Sequence, residues 1–347
     1  MENRKPFGVL PGGETVELLS LQNGRMRCQI ITYGGALQSL IVPGRDGREV
    51  DVALGFDDLE RYRSQTCFIG ALIGRYGNRI AGASFSLDGT EYQLPANEGK
   101  NQLHGGPSGF DKKLWNVASL NEREAVLTLQ SPDGDMGYPG RLDARVIYRL
   151  TENALEIEYE AKSSAVTLCN LTNHTYFNLS GHDSGSVMDQ TVQLCADRYL
   201  PIDGASVPVS GPVPVDGTPM DLRRAMTIGT HIDDDFDQLR LAGGYDHCWV
   251  VNGETGTLRP AARCCSPRTG IVMETLTTMP GVQFYTGNYL DGCPAGKNGA
   301  PYARRWGFCL ETQFYPDTPH HPDFPSAVLR PGEVQRSKTV YRFGAES

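Results

Sequence analysis

The 347-residue sequence predicts an all-β fold, a large antiparallel β-sandwich with few short helices. Three observations carry that expectation. Apolar and polar residues alternate with period two along several segments, the mark of half-buried strands. The 40 Gly and 22 Pro cut the chain into short pieces that leave helices little room. A hydrophobic content of 39% against 21% charged residues, without any long polar tract, suits a chain that buries a sizeable core.

Taken in chain order, the first signal is Asn23-Gly24 in a run that continues to Cys28-Gln29-Ile30-Ile31, a hairpin turn followed by a strand. Phe56 to Arg63 reads as a short helix. Asp88-Gly89 then joins Phe85-Ser86-Leu87 to Tyr92-Gln93-Leu94, because this dipeptide supplies the positive φ angles that a two-residue hairpin requires. Ala125-Val126-Leu127-Thr128-Leu129, Arg145-Val146-Ile147-Tyr148-Arg149-Leu150 and Leu155-Glu156-Ile157-Glu158-Tyr159-Glu160-Ala161 form an expected antiparallel meander, the last two joined by the polar turn Thr151-Glu152-Asn153. Asp221 to Met226 is a second short helix candidate. Neither a linker nor a compositional break divides the chain, so residues 1–347 are expected to make a single domain.

The net charge of −9 argues against a nucleic-acid partner, which needs clustered Lys and Arg to meet phosphates. Met1 to Pro6 is not followed by an apolar leader, and no stretch approaches the roughly 20 apolar residues that span a bilayer. No membrane association is expected, and a cytoplasmic location is. Nine cysteines at irregular spacing, with only Cys264-Cys265 adjacent, read as reduced thiols rather than a zinc site. Three Asn-x-Ser/Thr matches, at Asn170, Asn173 and Asn178, crowd one apolar segment where a glycan would block folding, and read as chance matches. Asp233-Asp234-Asp235 lacks the ligand spacing of a calcium loop and reads as solvated.

Chemistry concentrates around a few histidines and polar-aromatic segments. Asn101-Gln102-Leu103-His104-Gly105-Gly106 and Asn170 to Leu179 each set a histidine among close polar neighbours. In the second, alternation puts Asn170, Thr172, His174, Tyr176 and Asn178 on one face and Leu171, Asn173, Thr175 and Phe177 on the other. Taken alone, His174 reads first as a satisfied strand histidine, and Glu311 in Cys309-Leu310-Glu311-Thr312-Gln313 as an outward-facing acid. Gly74 to Ile80, Gly244 to Trp249 and Gly281 to Asn288 mix polar and aromatic residues in the way sugar sites do, since hydroxyls need fixed partners and the ring's C–H face packs on aromatics.

Six segments in order closely resemble the aldose 1-epimerase family, the galactose mutarotases. They are Gly74-Arg75-Tyr76-Gly77-Asn78-Arg79-Ile80, Asn101-Gln102-Leu103-His104-Gly105-Gly106-Pro107, Leu171 to Leu179, Gly244-Tyr245-Asp246-His247, Gln283-Phe284-Tyr285-Thr286-Gly287-Asn288 and Leu329-Arg330-Pro331-Gly332-Glu333. The resemblance implies a β-supersandwich whose concave face holds a free sugar such as D-galactose or D-glucose. It implies His174 as general acid and Glu311 as general base, with Asn78, Arg79, His104, Tyr176, Asp246 and Gln283 binding the substrate. The implied activity is an isomerase of galactose and hexose metabolism that interconverts α and β anomers.

That chemistry needs no metal, nucleotide or other cofactor. Ordinary pKa values of about 4.3 for Glu and about 6.5 for His set a carboxylate beside a partly protonated imidazole near neutrality. Alternation turns His247 away from the site, and His320-His321 between prolines reads as a loop without a third metal ligand. A glycoside hydrolase would need two carboxylates flanking the bond, a sugar-binding sandwich would bind without turnover, and a hexose-phosphate epimerase would add an Arg or Lys cluster for which the site segments offer no candidate. A monomer or a homodimer is expected.

Overall fold

The computed structural model describes residues 3–346, and the alternating segments pair as the period-two pattern requires. Glu124–Ser131, Leu142–Leu150 and Ala154–Ser163 are consecutive antiparallel neighbours, with Leu127 opposite Val146 and Val146 opposite Tyr159. This meander supplies three strands of a nine-stranded sheet, which continues through Gln335–Ala345, Ile271–Thr277 and Arg259–Cys265. A six-stranded sheet runs in the order Tyr176–Phe177, Phe308–Gln313, Gly281–Tyr285, Asp246–Val250, Arg198–Tyr199, Val213–Pro214. A five-stranded meander occupies the N-terminal part, Arg4–Val9 to Glu49–Asp51.

One apolar core joins the sheets, as a sandwich requires. Phe308, Leu310 and Thr312 alternate toward the nine-stranded layer, and there the Tyr341 hydroxyl donates to the Leu310 carbonyl at 3.0 Å. The Phe177 and Tyr341 rings meet across the same interface, centroids 4.8 Å apart. Alternation therefore sends Cys309, Glu311 and Gln313 to the other face of the six-stranded sheet. The core thus fixes which side chains face the site.

Both hairpins form. At Asp88-Gly89 the φ angles are 48° and 82°, positive at both central positions. At the first hairpin Asn23 stays in its strand opposite Met26, so the turn centres on Gly24 and Arg25, with Gly24 at φ 59°.

Two sequence expectations are corrected. The first helix is Leu59–Ser64, capped by the Asp58 side chain accepting from Arg61 N at 2.9 Å. Asp221 to Met226, however, is not a helix. Arg223 Nε donates back to Asp221 at 2.8 Å within a loop that ends in the strand Met226–Thr227, and the second helix is Asp237–Ala242, which stops at Gly243 with φ 68°. The second correction concerns the thiols: Cys67 and Cys293 form a disulfide across 226 residues, and the remaining seven are free. A pairing over that separation leaves no local spacing to read. Asn170, Asn173 and Asn178 are buried and hydrogen-bonded, in keeping with chance glycosylation matches. Among the described residues no helix is long and apolar enough to cross a membrane.

Candidate active site

The outer face of the six-stranded sheet carries most of the expected polar residues, brought together by register. Gln283 lies opposite Glu311, Asp246 opposite Tyr285, and Tyr176 opposite Cys309. Asn78, Arg79 and His104 approach from a two-stranded ribbon in which Leu103 pairs with Arg79. Local backbone demands explain this ribbon's composition. Asn78 has φ 67°, a conformation that Asn tolerates better than most residues, and its Oδ1 accepts from Arg79 N at 2.9 Å. Gly105 has φ 84°, and a Cβ there would meet the Gly74 carbonyl oxygen at 1.9 Å, so only glycine lets the His104 turn seat against residue 74.

The Asn170–Leu179 segment alternates as expected without being one strand. It forms two short pairs, Thr172–Asn173 and Tyr176–Phe177, with His174 and Thr175 between them. His174 is nonetheless fixed, because its N–H donates to Ala71 O at 2.9 Å and its carbonyl accepts from Gly70 N at 3.0 Å. Asn173 and Phe177 point inward, whereas His174 and Tyr176 line a cavity.

That cavity has a volume of about 250 Å³, below the roughly 300–1,000 Å³ of drug-sized sites and on the scale of one small ring. Asn78, Arg79, His104, His174, Tyr176, Asp246 and Glu311 line it together. Gln283 does not reach the wall. It stands behind Asp246, donating from Nε2 to Asp246 Oδ1 at 2.7 Å, so its immediate effect is to orient that carboxylate.

His174 Nε2 lies 3.7 Å from Glu311 Oε1, and its Nδ1 lies 3.5 Å from Cys309 Sγ. The other oxygen of Glu311, Oε2, is buried with no hydrogen-bond partner. An unpaired buried acceptor is costly, and on a residue that lines a cavity it is one that a donor from a ligand can relieve. The His104 and His174 rings meet edge to face at 5.2 Å, and the Phe68 ring closes over both at 4.7 and 5.7 Å.

Burial dominates the electrostatics. It pushes Glu311 well above the ordinary carboxylate range, with the Asp246 charge adding to the rise and Arg79 opposing it. It pulls His174 down to about 4. Asp246 is likewise raised by burial, against the pull of Arg79 and Gln283. These directions reverse the expectation of ordinary values for the pair, because the site is dry and each group resists its charged form.

The nearest ligand atoms of His104, His174 and Glu311 all lie within 4.8 Å of one another, a spacing a metal ion can bridge. The hydrogen bonding of His104 opposes that use. Its Nδ1 accepts from Asn78 N at 3.1 Å, so the neutral ring carries its proton on Nε2. One nitrogen is occupied and the other is a donor, which makes His104 a fixed hydrogen-bond donor, kept neutral by burial and by the neighbouring His174 and Arg79.

Sequence reasoning missed several wall residues. Glu98 grips Arg79 with both carboxylate oxygens, at 2.7 and 2.8 Å, from a turn whose Asn97-Glu98-Gly99 composition signals only a bend. Phe68 sits at φ 57°, and Tyr289 is 61% exposed at the mouth. His247 turns away as alternation requires and packs on Tyr199 and Trp249. His320 and His321 lie at a single helical turn, where His320 Nδ1 is 2.6 Å from Asp317.

Known proteins resemble this chain along nearly its whole length. The aldose 1-epimerase family model matches residues 17–342. Galactose mutarotase from Mus musculus is 44% identical over 341 residues, covering 98% of each chain. Aldose 1-epimerase from Escherichia coli is 41% identical over 350 residues, covering all of both. The crystal structure of an aldose epimerase homologue from C. elegans superposes with a TM-score of 0.89 at 27% identity, over 96% of this chain and 100% of that one.

Proposed function

Because the chain belongs to the aldose 1-epimerase family, and so is an isomerase acting on a sugar, we propose that it interconverts the α and β anomers of free hexoses such as D-galactose and D-glucose, with Glu311 as general base and His174 as general acid. The observation that carries the assignment is Glu311 on the wall of a cavity sized for one ring, its Oε1 3.7 Å from His174 Nε2 and its Oε2 buried without a hydrogen-bond partner.

Glu311 takes the proton of the C1 hydroxyl while His174 gives one to the ring oxygen, and the ring opens to the aldehyde. Rotation about the C1–C2 bond presents the other carbonyl face, and the same two groups reverse their roles to close the opposite anomer. Neither redox change nor group transfer is involved. The working state needs Glu311 ionised and His174 protonated, while burial favours both neutral. Both states hold a single proton across a 3.7 Å gap, so the pair is isoelectronic in protons and only its location differs. A sugar hydroxyl donating to Oε2 stabilises the ionised carboxylate and shifts that proton toward His174.

The remaining residues support this division. His104 is a neutral donor for an oxygen of the sugar, Asn78 and Tyr176 add polar and aromatic wall, and Arg79 opposes the negative charge of Asp246 and Glu311. Gln283 holds Asp246 as an acceptor for ring hydroxyls. We place the reaction in hexose metabolism in the cytoplasm, which suits a chain in which seven of nine cysteines are free thiols.

Polarimetry on fresh α-D-galactose and α-D-glucose, with the wild type and His174→Ala, tests the reading. The wild type accelerates the decay of rotation, and His174→Ala loses about 10²–10⁴-fold, the usual contribution of a positioned proton-transfer group. Equal rates for the two proteins would refute the acid. Binding without acceleration in the wild type would leave a sugar-binding sandwich, and release of a free sugar from a glycoside would favour a hydrolase.

A further inference from the structure

The cavity wall combines one cation with three carboxyl groups. Among the described lining residues Arg79 is the sole Lys or Arg, and it shares the wall with Glu98, Asp246 and Glu311. Glu98 does not face Arg79 casually. Arg79 Nε donates to one of its oxygens at 2.7 Å and Nη2 to the other at 2.8 Å, the side-on fork by which a guanidinium holds any carboxylate or phosphate. The edge of Arg79 best suited to an anionic ligand is therefore already filled.

The filling group is delivered by a rigid turn. Glu98 N donates to Asn101 O at 3.2 Å, and Asn101 N donates to Glu98 O at 2.9 Å. The Asn97 side chain clamps Leu103, accepting from its N–H at 2.7 Å and donating to its carbonyl at 3.0 Å, directly before His104. Glu98 is thus held by the backbone that carries the site. With Arg79 paired to Glu98, Asp246 and Glu311 leave the cavity short of positive charge, while Asn78, His104 and Asp246 still offer donors and acceptors to neutral hydroxyls.

We propose that Glu98 is a specificity-determining residue that restricts the reaction to uncharged aldoses, excluding hexuronates and hexose phosphates by occupying the anion-binding edge of Arg79. The inference rests on the anomer-interconverting reading above and adds to it the class of sugar refused. An anionic sugar entering this pocket meets two carboxyl groups and, among the described lining residues, no Lys or Arg beyond the paired Arg79. Removing the Glu98 charge returns the fork to the ligand and deletes one repulsive group, so acceptance of anions is gained rather than lost. A residue that merely held the fold together would give no such gain.

D-Galactose and D-galacturonate make a matched test, since they differ only in a hydroxymethyl or a carboxylate at C6. Anomer exchange is measured at pH 7 for the wild type, Glu98→Gln and Glu98→Ala, and kcat/KM for the two sugars is expressed as a ratio. The wild type is expected to favour galactose by at least about 100-fold, and both variants to narrow that ratio at least about tenfold, chiefly through a lower KM for galacturonate. An unchanged ratio in variants that still turn over galactose would overturn the proposal, as would a wild type that accepts both sugars equally. Loss of turnover on both sugars in both variants would also overturn it, assigning Glu98 to holding the site instead. A wild type inactive on galactose itself would be a different result, removing the anomer reading and this inference with it.

Discussion

The buried charged clusters around Lys297 and around Glu311 are finished to different degrees. The Lys297 ammonium donates to Gln38 O at 2.9 Å, Asp51 Oδ2 at 2.6 Å and Ala53 O at 2.9 Å, so its three donors meet three acceptors. Asp51 in turn accepts from Ser39 Oγ at 2.7 Å and Leu40 N at 3.0 Å. Burial raises Asp51, but Lys297 and these hydrogen bonds outweigh it and hold the carboxyl below its ordinary range. Glu311 has the opposite outcome: one oxygen is unpartnered, its nearest cationic candidate is an imidazole 3.7 Å away, and its carboxyl is held well above that range.

The difference separates a structural charge from a working one. A saturated pair ties the Lys297 turn to the N-terminal meander and leaves nothing for a ligand to do. The cluster around Glu311 is incomplete, and what it lacks is a donor at Oε2, which a sugar hydroxyl supplies.

Lys297→Met should break the first cluster and leave the second intact. Stranding Asp51 without its buried partner is expected to cost about 3–5 kcal/mol in urea unfolding, with the polarimetric rate per folded molecule retained because Lys297 lies off the cavity wall. A variant as stable as the wild type would erase the contrast between the clusters.

A smaller effect sharpens the second cluster. The one-proton state of the His174–Glu311 pair is active, so kcat/KM should fall on both sides of a plateau. The acidic limb follows the lowered imidazole near 4, and the alkaline limb follows the carboxyl that burial holds well above the ordinary carboxylate range. Asp246 raises Glu311, so Asp246→Asn should draw the alkaline limb toward lower pH, whatever it does to KM. An alkaline limb that stays in place would detach Asp246 from the titration of the pair.

The meander of Ala125, Arg145 and Leu155 was legible because each strand buries one face, and period two then follows directly. The same alternation placed His247 away from the cavity and His174 with Tyr176 on its wall. Local signals failed where long-range partners decide. The Asp221–Met226 loop carries helix-compatible residues, yet its backbone is taken by a distant strand, with Leu222 O accepting from Leu194 N at 2.7 Å and Arg223 O from Gln193 Nε2 at 3.0 Å. Cys67 and Cys293, and Glu98 with Arg79, are joined by folding alone. The proton balance of the site was illegible for a related reason: ordinary pKa values describe groups in water, and burial reverses their order here.

Glu311→Gln puts the central claim to the most direct test, read twice on one preparation by polarimetry on fresh α-D-galactose and by thermal unfolding. If the carboxylate is an incomplete group kept for catalysis, the amide should lose about 10²–10⁴-fold in rate while the melting temperature stays level or rises, since a strained buried acid has been removed. A retained rate, or a loss of stability like that expected of Lys297→Met, would contradict the account.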